Sequence, residues 1–428
     1  MQRHELSRLR TGERLISEHV PSVRSVSLGF WIGTGSRDES DARAGVSHFI
    51  EHLLFKGSGT HSAQQIAEIF DGLGGELNAA TSRETTLVYA RVPDDRLEPA
   101  LDVMVGMVYD PAFAEVDAER EVVLEEIAMV DDNPQDLVHD VVTDAVFGGH
   151  PLGRPVIGRA PVISSVSRRS LAAYHRAAYA HDNIVVAAAG NVTHERVLEL
   201  FEARLPRTET PARRVRKPFT RVPAPGYRFQ RKATEQYHVC LGAPGISRRD
   251  ERRFAASLLD SILGGSASSR LFQEIREKRG MAYSVYSFGS QYSDSGQIGL
   301  YVGTREENLV PCLEIVAREL DDVAAGNVRP GELERAKENL KGRMLLSMES
   351  TSNRMSRLGK SVITGTDLLS LEELVERVEA VTAAEIAALA GELLRLDRLS
   401  AAGIGPSEAR FRAAVQRVNP ALVGRRAA

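Results

Sequence analysis

The sequence predicts an α+β protein built of two related domains, and three observations support this. Short apolar runs with strand character alternate along the chain with longer segments of helical period. The stretch 206–225 has neither period and carries five prolines among many arginines, which is typical of a surface linker. Beyond it, the order of strands and helices starts again. We therefore expect an N-terminal domain over residues 1–205, the linker, and a C-terminal domain over 226–428.

In the N-terminal half, the spacing of apolar residues and the positions of glycines predict where strands and helices begin and end. Residues 25–32 are mostly apolar and lead into a Gly-Thr-Gly loop, which predicts a strand and its exit. Residues 44–55 repeat apolar side chains with a helical period and stop before Gly57, a residue type common at helix C-termini. The other elements predicted in this half are helices at 62–72, 94–109, 114–132, 136–147 and 194–204, and strands at 77–81, 85–92 and 184–189.

The C-terminal half repeats this order. A strand at 237–242 precedes a helix at 252–263, as the strand at 25–32 precedes the helix at 44–55. The remaining elements predicted here are a helix at 269–278, strands within 283–303, and helices at 306–325 and 330–348.

Composition places the chain among ordinary globular proteins. Its 428 residues are 43% hydrophobic and 26% charged with a net charge of −4, which excludes wholesale disorder and gives no reason to expect nucleic acid as a partner. Cys240 and Cys312 are too few for a disulfide framework, so we expect two buried free thiols. Residues 1–14 lack the apolar core of a secretory signal, and no apolar stretch is long enough for a membrane span. We therefore expect a cytoplasmic protein.

Residues 48–52, which read His-Phe-Ile-Glu-His, carry the strongest chemical signal. In a helix, the spacing of four residues places His48 and His52 on one face, where they can bind one metal ion. Glu51 lies at the edge of that face and can reach a water held there. A solvated helix can carry such residues for solubility alone, but the apolar flanks predict a buried helix, in which unpaired polar groups would be costly. The motif favours a metal site. Lys56 behind it could contact substrate or cap the helix, and we expect it to cap the helix.

A catalytic zinc site needs a third protein ligand and an open position. The acidic helix predicted over 114–132 supplies candidates. Glu119 and Glu126 lie two helical turns apart and flank its apolar stripe, so both can point inward. Glu121 and Glu125 fall further towards solvent. Position on the helix therefore favours Glu126 or Glu119 as the ligand, with the other supporting an imidazole N–H from outside.

The spacing His-x-x-Glu-His is the inverted zinc motif, here within Gly-Val-Ser-His-Phe-Ile-Glu-His-Leu-Leu-Phe-Lys-Gly at 45–57. With the stretches 74–84, 119–127 and 269–284, it resembles the pitrilysin/insulinase family of metallopeptidases over essentially the whole chain. The resemblance is greatest to the half-length branch that includes mitochondrial processing peptidase subunits. It implies two domains, each an antiparallel or mixed sheet with helices packed on one face, together forming one bowl-shaped half of a chamber.

The resemblance also implies roles for individual residues. The zinc ligands would be His48, His52 and Glu126, with one zinc ion per chain, and Glu51 would be the general base. Glu119 would become the supporting carboxylate, which resolves the alternative that position on the helix leaves open.

Residues further along the chain are expected to complete the site. In the family, an Arg and a Tyr seven residues apart in the second half assist catalysis, and they correspond to Arg276 and Tyr283 here. A peptide substrate is expected to bind as an added strand, since main-chain pairing holds it extended. The segment Asn78, Ala79 and Ala80 is the candidate edge, because its small side chains let another backbone approach.

The resemblance implies a zinc endopeptidase that acts on unfolded peptides or short polypeptide segments. Because the chain corresponds to half of a chamber, two chains are expected to close on each other as a homodimer, or as a heterodimer with a related chain. In that arrangement Arg276 and Tyr283 would complete the zinc site of the partner chain. The alternative is a non-catalytic, processing-peptidase-like subunit that acts as a peptide-binding scaffold.

Overall fold

The computed structural model describes residues 4–205, 216 and 218–424. In this part of the chain, eleven strands form two sheets. The strands are β1 (His4–Arg8), β2 (Arg14–His19), β3 (Ser25–Ile32), β4 (Glu76–Thr81), β5 (Thr86–Pro93), β6 (Ile184–Gly190), β7 (Tyr227–Arg231), β8 (Tyr237–Gly245), β9 (Ala282–Gln291), β10 (Gly296–Thr304) and β11 (Ser400–Gly405).

Helices account for most of the remaining described residues. The α-helices are α1 (Val46–Leu54), α2 (Ala63–Leu73), α3 (Leu97–Tyr109), α4 (Val116–Asp132), α5 (Pro134–Phe147), α6 (Ala160–Ser165), α7 (Arg168–Ala178), α8 (His194–Glu202), α9 (Arg253–Leu263), α10 (Glu306–Ala324), α11 (Glu332–Ser347), α12 (Thr351–Thr364), α13 (Leu371–Ala380), α14 (Ala383–Leu393), α15 (Glu408–Val415) and α16 (Pro420–Gly424). The expected helix at 269–278 is instead π-helical over Phe272–Glu277. Among the helices of the described chain, none combines the length and apolar character needed to cross a membrane.

The two sheets share one topology. The first has the order β1-β2-β6-β3-β5-β4, and the second has the order β7-β11-β8-β10-β9. In each sheet a single pair is parallel, β2 with β6 and β7 with β11, and every other pairing is antiparallel. With β1 set aside, the strands correspond one to one in chain order. The α+β class and the relatedness of the two halves are therefore confirmed.

The chain folds into two compact units, and these differ from the contiguous domains expected over 1–205 and 226–428. Unit 1 holds the described residues within Met1–Ala128, Arg154–Lys217 and Leu345–Ser370, and unit 2 holds those within Met129–Gly153, Pro218–Met344 and Leu371–Ala428. Each sequence half thus contributes one helical segment to the unit built mainly from the other half. Of the expected linker, residues 206–215 and 217 lie outside the described residues, while 216 and 218–225 form neither helix nor strand.

In unit 1, side chains of the sheet alternate between two cores. Phe30 and Val186 enter the larger core, with α1, α3 and α8. Trp31 and Val185 enter a smaller core, which α12 closes with Met355 and other apolar side chains. The expected helical layer on one face is therefore present, and α12 additionally covers the other face.

In unit 2, α5 plays the part that α12 plays in unit 1. It packs on β8 and β11, and its Val138 and Val142 share a core with Cys240 and Tyr301. Helix α5 follows α4 as α12 follows α11, so the exchange between the two sequence halves is reciprocal. Cys240 and Cys312 are buried and unpaired by disulfide, as expected.

Candidate functional site

Helix α1 begins at a tightly constrained backbone. Its N-cap Gly45 has a φ of 98°, and a Cβ there would lie 2.7 Å from the Cα of Gly158, so only glycine fits. The buried Glu39 carboxylate accepts hydrogen bonds from the N–H groups of Gly45 (2.8 Å) and Ser47 (2.7 Å). These N–H groups have no partner within the helix, so the carboxylate satisfies them and fixes where α1 starts.

The buried face of α1 leaves two imidazoles at the rim of the core. Phe49, Ile50 and Leu53 are fully buried, whereas the side chains of His48 and His52 retain 17% and 16% exposure. The Nε2 atoms of the two histidines are 3.3 Å apart. Burial, and then the neighbouring His52, lower the pKa of His48 to about 4. His48 is therefore neutral near pH 7, which is the form that binds metal ions.

Helix α4 brings a carboxylate to the same place. Val123 and Ile127 anchor α4 in the core, and Glu126 beside them points at the histidines. Its Oε2 is 3.7 Å from Nε2 of His48 and 3.4 Å from Nε2 of His52. The donor atoms of the three residues all lie within 4.8 Å of one another. Two imidazole nitrogens and one carboxylate oxygen form a donor set that zinc accepts, with room for a fourth ligand.

Glu119, one of the two carboxylates that position on the helix could not tell apart, stands behind this cluster. Its Oε1 is 2.9 Å from Nδ1 of His52, and its Oε2 is 2.6 Å from Nζ of Lys56. Glu119 therefore contacts the His52 imidazole at Nδ1, whereas His48 and Glu126 lie at its Nε2. Glu121 and Glu125 are exposed, as expected.

Glu51 lies on α1 next to the edge strand β4. Burial raises the pKa of its carboxyl group, and hydrogen bonding to Thr81 and the nearby His52 oppose the rise. Its Oε2 is buried and has no hydrogen-bond partner among the described residues. A carboxylate with one unpartnered oxygen beside a cluster of candidate metal ligands is suited to take a proton from a water molecule.

Strand β4 forms one margin of the first sheet. It pairs with β5 alone, so its other side is open within the described structure. Asn78 and Ala80 are exposed, and Ala79 is half-buried. The Asn78 side-chain oxygen accepts a hydrogen bond from the N–H of Ala79 at 2.8 Å. The three residues expected at a substrate edge are therefore at an edge.

Arg276 and Tyr283 belong to unit 2, whereas the histidines and acidic residues described above belong to unit 1. The Arg276 guanidinium lies over the rings of Phe272 (4.7 Å) and Tyr283 (4.4 Å), and it donates a hydrogen bond to the Tyr283 carbonyl oxygen at 3.2 Å. Tyr283 is 76% exposed. The structure thus brings these two residues together with each other, as a cation–π pair at the end of the π-helical segment.

The structure gives Lys56 a contact that the sequence did not predict, and it gives a role to Glu39, for which the sequence predicts none. Lys56 was expected to cap α1, but it forms an ion pair with Glu119. Its spacing of four from His52 indicates the same helix face, but the contact with Glu119 does not follow from that spacing. Glu39 was not singled out, because a carboxylate seven residues before a helix gives no pattern by which to recognise it.

Comparison with known proteins gives matches along most of the chain. Residues 14–160 match the family model described as Insulinase (Peptidase family M16), and residues 165–340 match the model described as Peptidase M16 inactive domain. A protein of Streptomyces coelicolor named an uncharacterized zinc protease is 41% identical over 406 residues, covering 92% of this chain and 88% of that protein. One of Bacillus subtilis with the same description is 40% identical over 396 residues, covering 90% and 94%.

Solved structures with the same fold are also found. A protease from Helicobacter pylori superimposes with a TM-score of 0.88 at 22% identity, covering 95% of this chain and all of that one. A structure described as a peptidase M16 inactive domain, from Pseudomonas fluorescens, gives a TM-score of 0.86 at 24% identity, covering 94% and 98%. At these identities the likeness concerns the fold.

Proposed function

Because the chain belongs to the insulinase family of peptidases (family M16), we propose that it is a zinc-dependent endopeptidase. Its substrates would be unfolded peptides or short polypeptide segments. The observation that carries the proposal is the convergence of His48, His52 and Glu126 beside the unpartnered carboxylate oxygen of Glu51.

His48, His52 and Glu126 would hold one zinc ion per chain. Zinc in such a site polarises a peptide carbonyl and lowers the pKa of water towards neutrality. Glu119 would hold the imidazole of His52 in the orientation and tautomer that leave Nε2 free to bind metal.

Glu51 would serve as the general base. It would take a proton from the attacking water and return it to the leaving amine, which suits a carboxyl group whose pKa burial raises. The substrate would pair with β4 along Asn78, Ala79 and Ala80. Arg276 and Tyr283 would supply a cation and a hydroxyl group to the developing oxyanion.

The direct test combines metal analysis with peptide hydrolysis. Wild type is expected to bind one zinc ion per chain and to cleave an unstructured peptide library. Glu51→Gln should retain the zinc and lose about 10²–10⁴-fold in cleavage rate, the size of a general-base contribution. The matched control is Glu125→Gln, an exposed carboxylate on α4 that is not among the candidate ligands. Bound zinc without any cleavage that depends on Glu51 would contradict the enzyme proposal.

The second candidate is a non-catalytic, peptide-binding subunit. The description of the second family model as an inactive domain favours it. It predicts that the unstructured peptides bind with equal affinity to wild type and to Glu51→Gln, and that neither cleaves them. The same preparations therefore decide between the two functions.

A further inference from the structure

Lys56, Glu119 and His52 form a chain of contacts that leads from the surface to the metal-binding cluster. Nζ of Lys56 lies 2.6 Å from Oε2 of Glu119, and Oε1 of the same carboxylate lies 2.9 Å from Nδ1 of His52. The side chain of Glu119 is 7% exposed, and that of Lys56 is 28% exposed. One carboxylate thus joins a cation to an imidazole, with one oxygen for each.

The local backbone explains why Lys56 reaches this position. Helix α1 ends at Leu54, and the N–H groups of Phe55 and Lys56 still donate to carbonyl oxygens of the last turn. The chain therefore keeps its helical course for one more residue pair, and Lys56 falls one turn beyond His52 on the same face. Gly57 then turns the chain away, with a φ of 112°.

The charges in this chain of contacts depend on one another. A carboxylate as buried as Glu119 is costly unless a countercharge is at hand, and the Lys56 ammonium is in contact with it. An ionised carboxylate can only accept, so Nδ1 of His52 must carry the proton. Nε2 is then the lone-pair nitrogen, and it is the atom that lies 3.4 Å from Glu126.

His48 provides the contrast. Its Nδ1 is buried and has no hydrogen-bond partner among the described residues. The polar contacts of this ring are with His52 and Glu126 inside the cluster, whereas His52 also has an outer partner, Glu119, which is itself paired with Lys56. The more firmly fixed ligand is therefore His52.

We propose that Lys56 is a positioning residue for the metal site, which acts through Glu119 to hold His52 ready to bind zinc. This inference rests on the metal site of the proposed function but not on hydrolysis. Through-space repulsion would work in the opposite direction, because removing a cation close to a dication strengthens metal binding. The sign of the effect therefore separates positioning from simple electrostatics.

The test measures zinc affinity by competition with a chromophoric chelator, using the full chain. Lys56→Met keeps the length and apolar stem but removes the charge, and it is expected to raise the zinc dissociation constant about tenfold, as for other outer partners of metal ligands. Lys56→Arg restores a cation and should bind zinc nearly as wild type does. The control is Lys341→Met, which removes a lysine of similar exposure that pairs with Glu338 and Glu379 in unit 2, and it should leave the affinity unchanged.

A second background shows whether Lys56 acts through the carboxylate. In Glu119→Gln the ion pair is already lost, so Lys56→Met should weaken zinc binding no further. Thermal unfolding of each metal-free variant reports whether it is folded. An unchanged or tighter zinc affinity in Lys56→Met, an equal loss in Lys56→Arg, or a full additional loss in the Glu119→Gln background would each overturn the proposal. A wild type that binds zinc without hydrolysing peptides would contradict only the proposed function.

Discussion

His175 is a buried histidine that the proposed chemistry does not use. It is 6% exposed on α7, its Nε2 is 3.0 Å from the Val108 carbonyl oxygen, and its ring lies 4.2 Å from that of Tyr179. Burial lowers the pKa of His175 to about 4, although the hydrogen bond to Val108 works in the other direction. The residue is therefore neutral in the folded protein well below the pH at which an unfolded histidine takes up a proton.

We expect His175 to make unit 1 sensitive to acid. As the pH falls, His175 takes up a proton near pH 6.5 in the unfolded chain but only near pH 4 in the folded chain. The free energy of unfolding is therefore unaffected by this titration above pH 6.5 and decreases as the pH falls from 6.5 towards 4. The loss is at most about 3 kcal/mol, at 1.36 kcal/mol per pKa unit. His175→Gln retains a side-chain N–H for Val108 but cannot titrate, so its urea denaturation midpoint should vary less between pH 7 and 4. Identical pH profiles would contradict this expectation.

The residues of the candidate metal site could be predicted to different degrees. Helical period alone places His48 and His52 on one face, because their spacing matches one turn. The choice between Glu119 and Glu126 depends on how α4 is rotated about its axis against α1, and both residues flank its buried stripe. The role of Lys56 depends on the turn after the helix and on a contact with a residue 63 positions away along the chain (119 − 56). Neither follows from local pattern.

At the scale of the elements, α12 closes the second face of the first sheet. Gly359 in this helix lies directly against the indole of Trp31, and a Cβ there would be 2.1 Å from the indole Nε1. The neighbouring Met355 lies over Gly29 of β3 in the same way. The helix can approach the sheet this closely because glycine faces a large side chain on each surface.

Gly359→Ala should therefore destabilise this contact. The buried, rigid indole cannot yield easily, so we expect a loss of about 1–3 kcal/mol in the free energy of unfolding. Trp31 is the only tryptophan of the chain, so its fluorescence during urea denaturation reports on this contact.

The control is Gly342→Ala within α11, where an added Cβ would meet nothing within 4 Å. There the better helix propensity of alanine should be retained, a gain of about 0.5–1 kcal/mol. A gain of stability in both variants would mean that α12 does not pack against Trp31 as described.

The strands and helices that the sequence predicts well are those whose apolar residues recur at regular spacing. Strands β3, β5 and β6 and helices α1 to α5 are close to their expected bounds, because apolar period and glycine mark them. Strands β1, β2, β7 and β11 were not predicted. β1 is a polar, largely exposed margin, and β11 reads Ser-Ala-Ala-Gly-Ile-Gly, whose small residues carry little strand signal. A helical period also cannot tell which sheet a helix will cover, so the exchange of α5 and α12 was not foreseen.

At the scale of the whole molecule, we predict that two chains complete each other's candidate site. Among the described residues there is one set of candidate metal ligands, in unit 1, and one Arg276–Tyr283 pair, in unit 2. If two chains complete each other, an Arg276→Ala chain and a Glu51→Gln chain should complement when they are co-expressed. Each mixed dimer then has one site with every residue intact, so cleavage should return to about a quarter of the wild-type level for random pairing.

Each variant alone is the control for this experiment and should be inactive. The second control is a chain with both Arg276→Ala and Glu51→Gln, co-expressed with wild type. If the two residues act within one chain, each mixed dimer has one site that lacks both residues and one intact site. If they act across chains, each of its sites lacks one residue. Absence of any restored cleavage on mixing the single variants would contradict completion of the site by the partner chain.

The reciprocal exchange of α5 and α12 has a consequence for how the protein is made. The sheet on which α1 packs obtains the cover of its second face from Thr351–Thr364, which begins 320 residues after Trp31 along the chain (351 − 31). During synthesis, the apolar side chains around Trp31 remain uncovered until those residues have left the ribosome. We therefore expect the nascent N-terminal half to be a client of chaperones, and fragments that end before α12 to aggregate. An interrupted chain would then fail to complete the unit that carries α1 and α4.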